Sequence, residues 1–305
     1  MISALIALLG SAVRLAVPYT LTGLGGTYTE RSGVTNIGLE GMMLTGAFAA
    51  VAASNKLHSP WLGIVAAILA GMLLALIHAV VCVTLKSDQI VSGLALNIFA
   101  SGVTVFFSWL LFNLTQIQVE DKLVFWFIKF VNIEGKEYAV LGPTTIPPIL
   151  PLTVVIVVVS HFIIFKTTFG LRLRAVGEHP KAADTLGINV YAMRYAGVLI
   201  SGGLAGLAGA FLSLEHAHYF VKNMSGGKGF IGLATMIFGK WTPLGTAGAG
   251  LLFGLGEAVS LRVSSVGLPP QFIQMLPYLI TIFVLAGAVG RATPPAADGI
   301  PYSKE

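Results

Sequence analysis

Glu40 is an acid inside an otherwise apolar, small-residue segment, ERSGVTNIGLEGMMLTGAF from Glu30 to Phe48, which is entered through a charged, glycine-rich turn. An ionisable group buried in lipid costs roughly 2.5–3.5 kcal/mol or more unless it faces a partner or a wet cavity. Its carboxylate therefore has two uses: lining a solute route, or exploiting the positive end of a helix that starts at Asn36. A second constellation lies between Ile90 and Leu114, where Gly93, Asn97, Ser101, Thr104 and Ser108 recur at helical spacing and share one stripe. Such a stripe serves either a polar solute or a seam where membrane helices approach closely and hydrogen-bond. Asn97 is the member best suited to touch solute. A flat or hydroxylated solute is held by amides and aromatic faces, so Asn36, Phe106 and Trp109 join Glu40, Asn97, Ser101 and Thr104 as candidate pathway residues. Gly202, Gly206 and Gly209, like Gly250 and Gly254, carry no polar handle and read as packing seams.

Other chemistries lack their residues. There is no phosphate-cradling GxxxxGKS or GxxxxGKT sequence, so energy for any transport comes from a partner or an ion gradient. An ion-coupled carrier keeps relay acids or bases at mid-membrane, and the candidates here are Glu40, Glu257, His78 and Arg14, with no evident pairing. The six histidines form no HExxH, and His216-Ala217-His218 falls in a loop, so neither a metal site nor a catalytic residue is assigned. Cys82 is the single cysteine, which excludes a disulfide within the chain.

The elements that must position these residues are membrane helices. The chain has 305 residues, 55% hydrophobic and only 10% charged, with a mean hydropathy of +0.86, too little charge to cover a soluble surface. Nine apolar runs predict an all-α polytopic transmembrane helical bundle in one domain over residues 1–305, with about nine spans and one or two broken or re-entrant helices. Phe230 to Phe238 is too short to span and is bracketed by Gly226, Gly227, Gly229 and by Gly239-Lys240-Trp241-Thr242-Pro243, which predicts a half-helix. Arg14 and Pro18 interrupt the first run, so Met1 to Ala12 is expected to lie at the interface and Leu15 to Thr27 to form a short span. The ring-rich stretch from Val124 to Val131 is expected to be an external flap or surface helix.

The net charge of +5 is dispersed among loops, which argues against nucleic acid and for the positive-inside rule. The longest basic loop, Lys166 to Arg194, is therefore expected on the cytoplasmic side, and the more acidic Thr115 to Thr145 outside, with the N-terminus out and the C-terminus in. Within the basic loop, Pro180 suits the first turn of a short helix.

Three stretches carry a family resemblance: Asn36 to Met43, NIGLEGMM; the loop AVGEHPKAADTLGINV from Ala175 to Val190; and GFIGLATMIFGKWTPLG from Gly229 to Gly245. Together they resemble the permease subunits of bacterial ABC importers for nucleosides and simple sugars, over nearly the whole chain. The nucleoside branch, served by a receptor of the basic membrane protein kind, is the most similar. The resemblance implies a multi-pass protein of the bacterial cytoplasmic (inner) membrane that is not itself an enzyme. Its implied partners are a second, different permease, an ABC ATPase subunit that holds ATP and Mg, and an extracytoplasmic substrate-binding lipoprotein; no cofactor is implied in this chain. It also implies that residues 166–190 are a coupling loop seated in a groove of the ATPase. The matching positions are Gly170, Arg172, Arg174, Ala175, Val176, Gly177, Glu178, Pro180, Ala182, Ala183, Gly187 and Ile188, whereas His179 departs from the usual Asn. A purine or other nucleoside is the expected solute, with a simple sugar or riboflavin as alternatives and an ion-coupled secondary transporter as the rival class.

Overall fold

The computed structural model describes residues 2–121, 123, 126–133, 136–143, 148–263, 275, 279 and 293–304. The ninth apolar run, Phe272 to Val289, lies almost wholly outside them. Among the described residues, six helices are long and apolar enough to cross a membrane. α1 (Ile2–Arg31) runs first, then α2 (Leu39–Leu57), α3 (Pro60–Ala79), α4 (Gln89–Phe112), α5 (Ile149–Lys166), α6 (Thr168–Glu178), α7 (Pro180–Thr185), α8 (Val190–Ala210), α9 (Lys228–Phe238) and α10 (Pro243–Val263). π-helical turns extend α3 over Val80–Thr84 and α8 over Phe211–Ala217.

Two expectations are corrected. α1 is one continuous helix of 30 residues, about 45 Å at 1.5 Å per residue, not an interfacial helix followed by a short span. Pro18 lies inside it without ending it, and Thr22 donates its hydroxyl to the Pro18 carbonyl at 2.5 Å. Neighbouring helices and hydroxyl side chains make such prolines tolerable in membrane helices. The stretch around Val124 to Val131 is not a surface helix: β2 (Trp126–Ile133) pairs antiparallel with β3 (Lys136–Pro143), with Phe130 opposite Ala139. Its β-branched and aromatic composition favours strand. A second small sheet joins β1 (Gln116–Gln118) to β4 (Tyr219–Val221). Helix dominates, consistent with an all-α polytopic membrane protein, and the two small sheets are additions to it.

α8 sits at the centre, packed on α1, α2 and α3, while α4 and α5 lie at the periphery. Close approach explains the glycine seams. A Cβ on Gly206 would lie 2.2 Å from the Ala67 carbonyl oxygen of α3, and one on Gly254 would lie 2.4 Å from the Ala12 carbonyl oxygen of α1. Gly206→Leu is expected to lower the amount of assembled protein, with uptake falling in proportion, as quantitative blotting beside uptake will show.

The bundle has two distinct ends. At one, the loop carrying α6 and α7 meets the C-terminal end of α1 and residues 293–304. At the other, Asn55 near the end of α2 donates to the Gln118 carbonyl beside the β1–β4 pair. With Cys82 replaced, a cysteine at exposed Glu120 is expected to react with an impermeant thiol reagent on whole cells and one at exposed Lys181 is not. The reverse pattern would invert the orientation.

Candidate functional site

The half-helix and the acid meet. α9 begins at Lys228 after Gly226 and Gly227, whose φ values of +57° and +83° lie in the left-handed region that glycine adopts freely. One oxygen of the Glu40 carboxylate accepts from the Gly227 N–H at 2.8 Å and the other from the Gly229 N–H at 2.7 Å. A Cβ on Gly229 would lie 2.5 Å from the Cα of Glu40, so the approach demands glycine there. Glu40 stands in the first turn of its own helix α2 while its hydrogen bonds go to a different one, α9. The charge thus lies at two positive helix ends, where backbone N–H groups and dipoles favour an anion.

Asn97 holds the acid's backbone in place. Its Oδ1 accepts from the Gly41 N–H at 2.8 Å and its Nδ2 donates to the Ile37 carbonyl at 3.0 Å, tying α4 to the start of α2. One turn further along α4, Ser101 donates to Asn223 Oδ1 at 2.8 Å. Glu40, Asn97, Ser101, Asn223, Ser225 and Gly226 line a cavity of about 430 Å³, within the size range of small-molecule sites. Ile98 on its rim is 76% exposed, so the cavity lies on the flank of the bundle.

The other pathway candidates lie elsewhere. Asn36 is fully buried, donates to Ser201 Oγ at 3.1 Å and accepts from the Gly38 N–H at 3.0 Å, which shapes the turn before α2. Thr104 is buried and bonds back to the Ala100 carbonyl, the ordinary habit of a threonine within a helix. Phe106 is exposed, and Trp109 lines a separate, smaller apolar cavity beside Phe220. Asn223 and Ser225 are not singled out by sequence, although they directly precede the glycines that mark the broken helix.

Lys228 and Glu257 are likewise not legible as a pair. Lys228 Nζ lies 2.6 Å from one Glu257 oxygen, Tyr19 donates its hydroxyl to the other at 2.6 Å, and Lys228 donates to the Tyr19 hydroxyl at 3.1 Å. Tyr19 is near the middle of the span Leu5–Arg31, so this cluster is deep. Intramembrane charges pair with one another, as here. Of the other two candidates, His78 is buried between Ser92 Oγ and the Thr35 carbonyl, and Arg14 is exposed on α1.

In the basic loop, α6 is capped by Thr167 and α7 ends in a Schellman turn: Gly187, at φ +80°, donates to the Asp184 carbonyl and Ile188 to that of Ala183. Gly170 packs against the Ile163 and Ile164 carbonyls, and Gly177 against that of Arg31. Arg172, Glu178, Lys181, Ala182 and Gly187 are exposed, whereas Arg174, Ala175, Pro180 and Ile188 are half-buried. Ala183 is only 3% exposed and packs on Val176, Val190 and Tyr302 of this same chain, so it offers no face to a partner. Leu186, 81% exposed at the end of α7, does. Nearby, burial pushes the Asp298 carboxyl up to about 6, against the opposing hydrogen bond from Thr35.

A bundle of membrane-crossing helices with a half-helix starting at an open cavity on its flank fits a permease, and among the described residues no three His, Cys, Asp or Glu side chains are grouped to hold a metal. The family described as branched-chain amino acid transport system / permease component matches residues 8–285, and the chain belongs to it. It is 44% identical over 303 residues to the guanosine ABC transporter permease protein NupQ of Bacillus subtilis, covering 95% of this chain and 94% of that protein. It is 41% identical over 302 residues to the nucleoside ABC transporter permease protein NupC of Lactococcus lactis, with the same coverage of each. The putative glucose ABC transporter permease protein TsgC13 of Haloferax volcanii is 36% identical, covering 93% of this chain and 92% of that protein. No solved structure matches. The chain is thus a multi-pass ABC transporter permease subunit and not an enzyme.

Proposed function

We propose that this permease carries nucleosides through the bacterial cytoplasmic membrane as one of two different, paired permeases. ATP and Mg are held by a separate ABC ATPase and the cargo is delivered by an extracytoplasmic lipoprotein receptor. About nine membrane segments, α2 among them, make up its bundle. The observation that carries the reading is the open cavity on the flank of the bundle, to which Glu40, Asn97, Ser101 and Asn223 bring polar side chains. Polar groups facing hydrocarbon are costly, so a second permease closes it and shares it as the solute route. Similarity to NupQ and NupC supports nucleosides as cargo, and the weaker matches to NupP, at 30%, and NupB, at 22%, support a pair of unlike permeases. The likeness to TsgC13 supports a sugar as the second reading.

Proteoliposomes holding both permeases, the ATPase and the receptor are expected to take up labelled guanosine on ATP addition, with competition by other nucleosides and none by glucose or riboflavin. Glucose uptake that guanosine fails to compete would select the sugar reading. Uptake in cells that survives ATP depletion but not an uncoupler would replace the ABC mechanism with ion coupling.

Docking of residues 166–190 on the ATPase has its own test. Leu186→Glu replaces an exposed apolar contact with a charge that the interface must bury unpaired, at about 1–3 kcal/mol or more. Co-purification of the ATPase is expected to drop about tenfold or more, since each 1.4 kcal/mol is a factor of ten. Wild-type ATPase retention and uptake would remove the docking role.

A further inference from the structure

Residues 293–304 join two parts of the protein that have separate tasks. On one side they hold the α6–α7 loop: the Ala297 N–H donates to the Gly177 carbonyl at 2.9 Å, Ala296 N–H to Glu178 at 3.2 Å, and Lys304 lies 3.3 Å from Asp184. Tyr302 is buried against Ala183 and Val176, its ring centroid 5.6 Å from that of Tyr191. On the other side they hold the turn between α1 and α2. Thr35 donates its hydroxyl to Asp298 Oδ1 at 3.2 Å, and a Cβ on Gly33 would lie 3.2 Å from the Ala297 carbonyl oxygen. Buried Arg194 closes the join, donating to the Ile300 carbonyl at 2.9 Å while its Nη2 lies 3.0 Å from where a Gly33 Cβ would be.

That turn leads straight to the cavity. From Thr35 the backbone passes through Asn36, which is bonded to Ser201, and through Ile37, whose carbonyl Asn97 holds, and so reaches Glu40. We propose that the segment 293–304 is a coupling strap, with Tyr302 and Thr35 as positioning residues that relay movement of the α6–α7 loop to the turn carrying Glu40. This rests on the reading of residues 166–190 as the ATPase dock. Packed elements transmit displacement because protein interiors are dense and barely compressible, and the strap touches both the dock and the turn, beside the direct approach of Gly177 to Gly33 and the contacts of α8 with Ser32 and Asn36. A tail that merely fills a surface would need contacts on only one of them.

The test uses the whole importer with two variants. Tyr302→Ala empties the aromatic cluster on the dock side, and Thr35→Val removes one hydroxyl on the turn side while keeping the shape of the side chain. Three quantities are read in proteoliposomes: ATPase co-purified, ATP hydrolysis with and without nucleoside-loaded receptor, and solute moved per ATP. ATPase retention and receptor-free hydrolysis are expected within about twofold of wild type, whereas solute moved per ATP falls roughly 5–150-fold, the range of ordinary coupling free energies. Tyr302→Phe is expected to restore coupling, since it keeps the ring contact. If Tyr302→Ala fails to assemble, Thr35→Val carries the test. Wild-type solute per ATP in Thr35→Val overturns the proposal, as does a loss of ATPase binding in either variant as large as that caused by Leu186→Glu. Failure of the dock itself reads differently: Leu186→Glu would then keep its ATPase, whatever the strap variants do.

Discussion

Glu40→Gln is expected to lower uptake per assembled complex about 10- to 100-fold while leaving membrane insertion and pairing intact. The carboxylate accepts from two backbone N–H groups at the start of α9, one on each oxygen. An amide offers one acceptor and turns an NH₂ toward the second donor, so one charge-assisted bond is lost and one N–H is left unsatisfied. Hydrogen bonds to charged groups are worth about 1.5–3 kcal/mol, and about 1.4 kcal/mol is a factor of ten. α9 has only 11 residues, short enough that an isolated helix would be marginal, so its placement depends on such anchors. The glycine seams of α2, α3 and α8 do not involve this carboxylate, which is why assembly is expected to hold. Glu40→Ala removes both acceptors and is expected to be more severe. Uptake of labelled nucleoside, normalised to complex extracted in mild detergent, decides it: wild-type uptake by Glu40→Gln would remove the acid from the mechanism.

Asn97→Ala separates two roles that one side chain combines. Its amide holds the backbone at Ile37 and Gly41 and also borders the cavity. Interhelical hydrogen bonds in membranes average about 0.6 kcal/mol, so loss of packing alone would leave transport nearly unchanged. Because the two bonds fix the turn that presents Glu40, uptake is expected to fall several-fold with normal assembly. Normal uptake per complex would leave Asn97 as a packing residue.

The pattern of legibility follows from the range of each interaction. Apolar runs are local, and every run that falls on described residues corresponds to a helix; the half-helix is readable because glycines bracket it within a few positions. Glu40 is visible as an anomaly, since an acid in an apolar segment must have a reason. Its partner is not: Gly227 and Gly229 are nearly two hundred residues away, and a backbone N–H carries no mark in sequence. A single stripe on α4 likewise hides a division of labour. Asn97 and Ser101 face α2 and the re-entrant turn, while Thr104 turns inward to its own helix. Ala183 shows the same limit. The family resemblance makes it a coupling position, but the chain folds residues 293–304 over it, and nothing near Ala183 announces that. The sheet at Trp126–Ile133 is hidden for a different reason: in an otherwise helical membrane protein a short aromatic run suggests an interface helix, and the pairing that makes it a strand comes from a second run, Lys136–Pro143.

Lys228→Met is expected to cost more stability than Lys228→Met combined with Glu257→Gln. The single change leaves the Glu257 carboxylate with the Tyr19 hydroxyl and without its lysine partner. Breaking a buried ion pair from one side costs about 3–5 kcal/mol, whereas replacing both partners with neutral groups of similar size is often neutral. Lys228 and Glu257 retain side-chain exposures of 17% and 23%, so the cost here is expected at the low end of that range or below it. In the double variant the introduced glutamine would still accept from Tyr19, and the introduced methionine would keep the length of the lysine stem beside the ring, which the Lys228 ammonium now overlies at 5.0 Å. Yields of assembled complex and thermal midpoints in detergent, measured for both singles and the double, form a double-mutant cycle. The expected interaction energy is about 0.5–3 kcal/mol in favour of the pair, with the double variant recovering most of the assembly lost by Lys228→Met. Uptake per complex in the double variant is expected near wild type, because the pair anchors α9 to α1 and α10 without lining the cavity. Strict additivity would show that the two side chains stabilise the protein independently, and would leave Glu40 as the sole electrostatic anchor of the half-helix.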